Sequence, residues 1–167
     1  FGIPCFELLA VPPSVPGYRL KRTLDRAMAR HGVEIIHACA EDFSATDGRV
    51  HHIRAVQKET AYEVAPATVV LATGKFIGGG IEWSDRLREP VFDLPVFVDG
   101  AYDPTPNMPG LLTDRFTSQQ RIFTAGLKVD EQLRPLSPDS QVIYANLMAA
   151  GGVLTGYNYL QDGGGLG

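Results

Sequence analysis

The sequence predicts an α/β fold of three layers, with an antiparallel β-hairpin appended, and three observations carry that prediction. The first is Ala65 to Gly74, APATVVLATG, where Val69, Val70 and Leu71 run into Ala72-Thr73-Gly74. A continuous apolar run this short, stopped by glycine, fits a strand buried on both faces, as strands inside α/β sheets are. The second is an amphipathic segment at 18–30, closed by Gly32 and followed by the apolar run VEIIHAC, which reads as a helix returning into a sheet. The third is another aliphatic run, Val142 to Ala149, ending in Ala150-Gly151-Gly152 and so repeating the logic of the first.

Composition bounds the function classes. At 167 residues, 44% hydrophobic and 20% charged, the chain can bury one ordinary core. Its net charge of -4 gives no basic footprint, so nucleic acid is not an expected partner. No run reaches the roughly 18 apolar residues of a spanning helix, and Pro4, Pro12 and Pro13 break the opening FGIPCFELLAVPP. Cys5 and Cys39 have no metal-ligand spacing and make no disulfide framework, which points to a reducing cytoplasm. A start at Phe1 without Met, and a close on Gly163-Gly164-Gly165-Leu166-Gly167, suggest a piece of a longer protein.

In order along the chain, Phe6 to Val11 reads as a strand and PPSVPG as a proline-punctuated loop in which Pro16 can open a helix. From Tyr18 to Arg30 the apolar positions Leu20, Leu24, Ala27 and Met28 recur at helical spacing, giving an amphipathic helix on a sheet. Its charged positions read as a solvated face, and Gly32 suits a left-handed cap. Val33 to Cys39 is the expected second strand, with His37 packed rather than chemical. Phe43 to Thr46 and Arg49 to Val56 form a hairpin, because Asp47-Gly48 supplies the positive φ angles of a tight turn. Tyr62 to Val64 adds a third small strand before the central strand at Ala67 to Thr73. His51 and His52 are adjacent, so a strand points them to opposite faces, and no metal site is expected.

Beyond Gly74 the character changes. Gly78-Gly79-Gly80 suits a place where the chain passes close to a ligand or turns sharply. Lys75 reads as a solvated surface lysine, with a phosphate contact as its functional alternative. Arg86 and Arg88 are weak candidates for clamping an anion, with Asp85 and Glu89 near enough in sequence to neutralise them. Pro90 to Val98 reads as a strand, and the proline-rich loop at 102–110 as a lid or subunit contact rather than core. Arg121 to Ala125 and Leu127 to Val129 are expected as short strands flanking Gly126, with Leu133 to Asp139 an exposed turn. In open α/β sheets ligands sit beyond the carboxyl ends of the strands, where small residues let a backbone approach a bound group.

With those residues in place a resemblance becomes specific. TVVLATG at 68–74 and NLMAAGGVLTG at 146–156, with the glycine turn that follows, resemble the second and third flavin-contacting segments of the two-dinucleotide-binding-domain flavoproteins. Within that superfamily PPSVPGYRLKRTLDRAMARHG, LATGKFIGGGI, REPVFDLPV and DEQLRPL, in this order, most resemble the B subunit of the anaerobic glycerol-3-phosphate dehydrogenases. The fold this implies is an incomplete Rossmann-type, FAD/NAD(P)-binding-like domain over 1–167, with 75–125 as an irregular excursion or small insertion. The G-x-G-x-x-G turn is not found in this sequence, and the resemblance places it near the start of a complete chain, so this piece corresponds to the carboxyl-terminal part. Lys75 and Asp162 depart from the small residues the family tends to carry at their positions.

The resemblance implies a flavin cofactor, FAD or FMN, and an oxidoreductase taking electrons from sn-glycerol 3-phosphate to quinone, giving dihydroxyacetone phosphate, in anaerobic respiration and glycerol metabolism. It also implies a companion catalytic flavoprotein subunit and an iron-sulfur subunit that anchors the assembly. The protein would then be cytoplasmic and peripheral on the inner membrane, and this piece alone inactive. By residue it implies Ala72, Thr73 and Gly74 as backbone neighbours of the cofactor. Gly151 and Gly152 would lie near the ribityl chain, Gly163, Gly164 and Gly165 would form a turn below the ring, and Ala40 and Glu41, at the end of the second strand, would contact adenine. No residue receives a catalytic role, since nothing selects among His31, His37, His51 and His52. Two other readings stand: a structural and docking subunit of the same complex, and a flavoprotein of the fumarate-reductase kind, which would need more arginines than Arg86 and Arg88.

Overall fold

The computed structural model describes residues 14–115 and 118–158. The strand expected at Phe6 to Val11 lies outside them. The chain divides into two units, Phe1–His37 with Leu166–Gly167, and Ala38–Gly165.

The first unit is built on helix α1, Val15–Arg30. Ser14 caps it, its hydroxyl accepting from Gly17 N at 3.1 Å, and a proline sits in the first turn where an N–H is not needed. Gly32, at φ +68°, closes the other end, with Val33 N donating to Met28 O at 3.0 Å and Gly32 N to Ala29 O at 3.2 Å. The ends follow the sequence closely, but the apolar face does not. No residue of α1 is buried, and Leu20, expected to lie against a sheet, is 61% exposed. Residues 33–38 form no strand, and Val33, Ile35, Ile36 and His37 are all exposed, which corrects both the strand and the packed histidine. An extended run becomes a strand only when its N–H and C=O groups meet a neighbour, and no described strand pairs with this one.

The second unit opens with a three-stranded antiparallel sheet, β1 Cys39–Thr46, β2 Arg49–Gln57 and β3 Thr60–Val64, in the order β1-β2-β3. Asp47 and Gly48 take φ +51° and +68° and join Thr46 to Arg49 as a two-residue turn whose twist matches the strands. Next, β4 Val69–Leu71 pairs in parallel with β9 Leu147–Ala149, in the register Val69↔Leu147, Val70↔Met148, Leu71↔Ala149. Between them lie two short hairpins, β5 Glu82–Trp83 with β6 Leu87–Arg88, and β7 Phe97–Val98 with β8 Ala101–Tyr102. The short helix α2, Met108–Leu111, and a 3-10 turn at Arg121–Thr124 follow.

Three expectations change here. Val70 is 61% exposed, so β4 is not buried on both faces. Pro90 to Val98 is strand only at its end, because Asp93 at φ +50° breaks the extended run. Arg121 to Ala125 is a 3-10 turn rather than a strand, its Thr124 hydroxyl returning to Arg121 O at 2.8 Å. The segment between β4 and β9 is nevertheless core: Ile81, Leu87, Phe92, Leu94, Val96, Val98, Leu111 and Ile122 from it pack with Val50, Leu71, Leu127, Leu147 and Val153. Phe43 of β1 meets Phe92 at 4.9 Å and Tyr144 at 5.8 Å between ring centroids, edge-on in both cases, which seats the hairpin on this core.

One polar side chain joins the two sheets. Asn146 is buried; its Oδ1 accepts from Val50 N at 2.9 Å, and its Nδ2 donates to Val50 O at 2.9 Å and Ala67 O at 3.4 Å. Its own carbonyl accepts from Val69 N at 2.8 Å, so the starts of β4 and β9 and the hairpin are held at one point. Asn146→Ala leaves both backbone groups of buried Val50 without that partner, and urea denaturation is expected to show a loss of about 2 kcal/mol or more.

Candidate functional site

Because β4 and β9 run in parallel, their carboxyl ends lie at one edge, and both leave the sheet through small residues. Ala150 N donates to Leu71 O at 3.0 Å, which carries the pairing into Ala72-Thr73-Gly74 on one side and Ala150-Gly151-Gly152 on the other. Gly74 and Gly151 take φ +73° and +74°, turns open to glycine at little cost. A Cβ on Gly152 would stand 3.7 Å from Gly74 Cα, while one on Gly151 would meet nothing within 4 Å. Ala72, Thr73 and Gly151 are exposed. The structure thus brings five predicted residues, Ala72, Thr73, Gly74, Gly151 and Gly152, into one ledge of backbone. Such a ledge fits a flat cofactor approached by main-chain groups.

The glycines after it serve the chain itself. Gly80 N donates to Lys75 O at 3.0 Å and Gly79 N to Phe76 O at 3.3 Å, folding Lys75 to Gly80 back on the strand end. A Cβ on Gly80 would strike Gly74 O and Thr73 Oγ1, and one on Gly78 would strike Thr73 O. Ile77 at the crest is 91% exposed.

Lys75 is neither solvated nor placed for a phosphate. It is 7% exposed, and its ammonium donates to Phe123 O at 2.8 Å, Ala125 O at 2.5 Å and Tyr157 O at 2.7 Å. Lysine has three donors, and three main-chain carbonyls meet them. Sequence reading missed this because those acceptors lie 48, 50 and 82 residues further along.

The arginines are paired, though not with the neighbours expected. Arg86 Nη2 reaches both oxygens of Asp93 at 2.7 and 2.8 Å, and Arg88 reaches Glu82 Oε1 through Nε at 2.9 Å and Nη2 at 2.7 Å. An anion clamp is therefore not formed. Glu89 is instead fully buried, its carboxylate accepting from Val91 N at 3.0 Å and Phe92 N at 2.7 Å. Burial pushes its carboxyl above the usual range, against the pull of those two N–H groups. The DEQLRP run is a built turn as well: Asp130 accepts from Gln132 N at 3.0 Å and Arg134 N at 2.8 Å, with Leu133 at φ +64°. It presents Leu133 O to Ala149 N at 2.8 Å, supporting β9 on the side away from β4. The Arg134 guanidinium beside Asp130 holds that carboxyl below its ordinary value. A cavity of about 400 Å³, framed by Val96, Val98, Tyr102, Asn107, Leu111 and Arg121, shares no residue with the ledge.

Ala40 and Glu41 do not close a strand; they open β1, beside its bulge, with Glu41 Oε2 3.5 Å from Arg54 Nη1. The earlier strand on which their placement depended does not form, so they lack the strand-end position. Gly163, Gly164 and Gly165 lie outside the described residues. His51 and His52 sit on β2, with His52 Nε2 2.7 Å from Glu63 Oε2.

Comparison with known proteins bears on this arrangement. Residues 3–167 match the family described as FAD binding domain. The chain is 33% identical over 170 residues to the probable anaerobic glycerol-3-phosphate dehydrogenase B subunit of Halobacterium salinarum, covering 99% of this chain and 38% of that protein. It is 32% identical over 168 residues to the anaerobic glycerol-3-phosphate dehydrogenase B subunit of Histophilus somni (99% and 38%). To that of Glaesserella parasuis it is 30% identical over 164 residues (97% and 38%). The chain therefore spans about 38% of the length of these relatives. No solved structure matches it. Of the two flavins the sequence left open, the family description selects FAD, and the fold class is the α/β FAD-binding one with antiparallel hairpins.

Two outcomes test this geometry. Gly80→Ala forces Cβ against main-chain oxygen, whereas Gly79→Ala meets open space and only the strain of φ +76°. Thermal melts should show a cost of about 1–2 kcal/mol for the second and clearly more for the first. Glu89 has a raised carboxyl, so the folded state holds its proton more tightly than the unfolded one. Its contribution is full below the ordinary value of 4.5 and is lost as pH rises through the folded value. Denaturation across that window should find the wild type losing stability with rising pH relative to Glu89→Gln.

Proposed function

This chain belongs to the FAD binding domain family, and from that we propose that it is the carboxyl-terminal part of the flavin domain of an oxidoreductase subunit. Its reaction is the oxidation of sn-glycerol 3-phosphate to dihydroxyacetone phosphate with electrons passed to quinone. The observation that carries the flavin reading is the ledge, where Gly74 and Gly151, both at positive φ, leave the ends of two parallel strands side by side. The substrate follows from relatives named as B subunits of anaerobic glycerol-3-phosphate dehydrogenase.

In this reading Ala72, Thr73 and Gly74 offer main-chain groups to FAD, and Gly151 and Gly152 lie along its ribityl chain. Bound FAD supplies the electron acceptor, and the chain's own residues orient it and keep side chains out of its way. The word subunit in those names supports an assembly, for which we infer a companion catalytic flavoprotein and an iron-sulfur subunit. Among the described residues no helix is long and apolar enough to cross a membrane, which agrees with peripheral attachment through a partner. One observation favours the second reading, a docking subunit without its own chemistry: the Gly78–Gly80 turn already packs on Thr73 and Gly74.

The test is the anaerobic flavin absorbance of the full-length protein containing this segment, purified without companions, before and after glycerol 3-phosphate is added. Bleaching of a bound flavin is the expected result. A flavin that stays oxidised would overturn the substrate, and a protein with no flavin would favour the docking role. Gly151→Val, which puts a branched side chain at φ +74° on the ledge, should weaken flavin binding at least roughly tenfold, about 1.4 kcal/mol.

A further inference from the structure

We propose that Lys75 is a positioning residue for the flavin, its ammonium tying the loops that leave both parallel strands into one tripod and so setting the shape of the ledge. This rests on the flavin reading above. Lys75 follows Gly74 directly, at the end of β4, and its side chain is buried where an ammonium persists only if its donors are met. One of its three acceptors, Tyr157 O, belongs to the segment that leaves β9 through Gly151 and Gly152. The other two, Phe123 O and Ala125 O, come from the 3-10 turn and the residue after it, next to Gly126. That third segment is itself bonded to the β9 exit: Leu127 N donates to Val153 O at 2.8 Å, Thr155 N to Leu127 O at 3.0 Å, and Gly156 N to Thr124 O at 3.3 Å. Gly126 cannot be enlarged without striking the backbone of Leu154 and Thr155. The main chain of Lys75 has a separate task, its carbonyl closing the glycine turn through Gly80 N. A single residue therefore fixes the β4 exit by its backbone and the β9 exit by its side chain.

The starts of the same strands are held independently by Asn146, through Val50, Ala67 and Val69. The parallel pair has a pin at each end, and only one of them adjoins the ledge. That separates a positioning role from general support. Removing either pin lowers stability, but only the loss of Lys75 alters the two ends against which the flavin would lie.

The experiment compares Lys75→Met with Asn146→Ala in the full-length protein, well below both melting temperatures. It reads the FAD dissociation constant, the shape of the long-wavelength flavin absorption band, and amide exchange over 72–74 and 150–152. Lys75→Met is expected to weaken FAD binding roughly tenfold or more, to shift the band, and to raise exchange in both segments together. Asn146→Ala is expected to lower the melting temperature while leaving band and affinity near wild type. If the methionine variant does not fold, Lys75→Arg keeps the charge in a forked geometry that cannot reproduce the tripod, and should change band and affinity in the same direction. Equal effects of Lys75→Met and Asn146→Ala on the flavin, or a flavin site untouched by Lys75→Met, would overturn the proposal. A wild type holding no FAD would instead overturn the flavin reading, and exchange rising in only one segment would then show that Lys75 does not couple the two ends.

Discussion

The pairing of β4 with β9 is the constraint from which the rest of the larger unit follows. Parallel strands cannot be joined by a tight turn, so a long crossover must lie between them. Here the crossover has little regular structure, and its side chains, from Ile81 to Ile122, supply much of the core. Irregular backbone inside a core needs its polar groups met one by one. Glu89 does this for Val91 N and Phe92 N, Gln120 for Thr113 N, and Lys75 for three carbonyls. Glu89 and Gln120 are buried as the consequence of a crossover that is not a helix.

The same constraint explains the electrostatics. Arg86, Arg88 and Arg134 are engaged by Asp93, Glu82 and Asp130 across a turn or a short hairpin, and Arg121 of the 3-10 turn by Asp99, 22 residues earlier in the turn between β7 and β8. Asp99 shows how closely these are built: Arg121 Nε and the Thr124 hydroxyl reach its two oxygens at 2.7 and 2.8 Å, and its carboxyl is held below the ordinary range by those contacts. At exposed positions such pairs add little stability; they fix the course of loops that have no ladder to do so. These four arginines are thus engaged within the crossover itself and form no anion clamp.

What could be read in the sequence divides along the same line. Local signals held: Pro16 and Gly32 at the ends of α1, the Asp47-Gly48 turn, and the small residues at 72–74 and 150–152 each act within a few residues of themselves. Signals that depend on a distant partner did not. VEIIHA at 33–38 has the composition of a strand and no described strand to pair with, and Val70 sits in an apolar run yet is exposed. Lys75, beside a glycine turn, looked solvated because nothing near it in sequence betrays three carbonyls beyond residue 120. Asp130 with Arg134 was the missed local signal, since an aspartate four residues before an arginine and five before Pro135 is a turn that closes on itself.

The ledge itself sits between two demands. A cofactor needs bare backbone at the strand ends, and the same bareness lets the chain pack on itself, as Gly78 and Gly80 do against Thr73 and Gly74. The two uses lie on different sides of the exit. The glycine turn occupies Thr73 O, Thr73 Oγ1 and Gly74 O, while Gly151 has open space where a Cβ would go. Self-packing therefore covers the β4 side and leaves space beside Gly151 on the β9 side, whose later residues are tied down by Lys75 and by Leu127, and a held edge with open space beside it is the arrangement that can receive a flat group without first being rebuilt. Backbone at positive φ on both sides, in Gly74 and Gly151, is what allows the two exits to diverge there rather than continue the ladder.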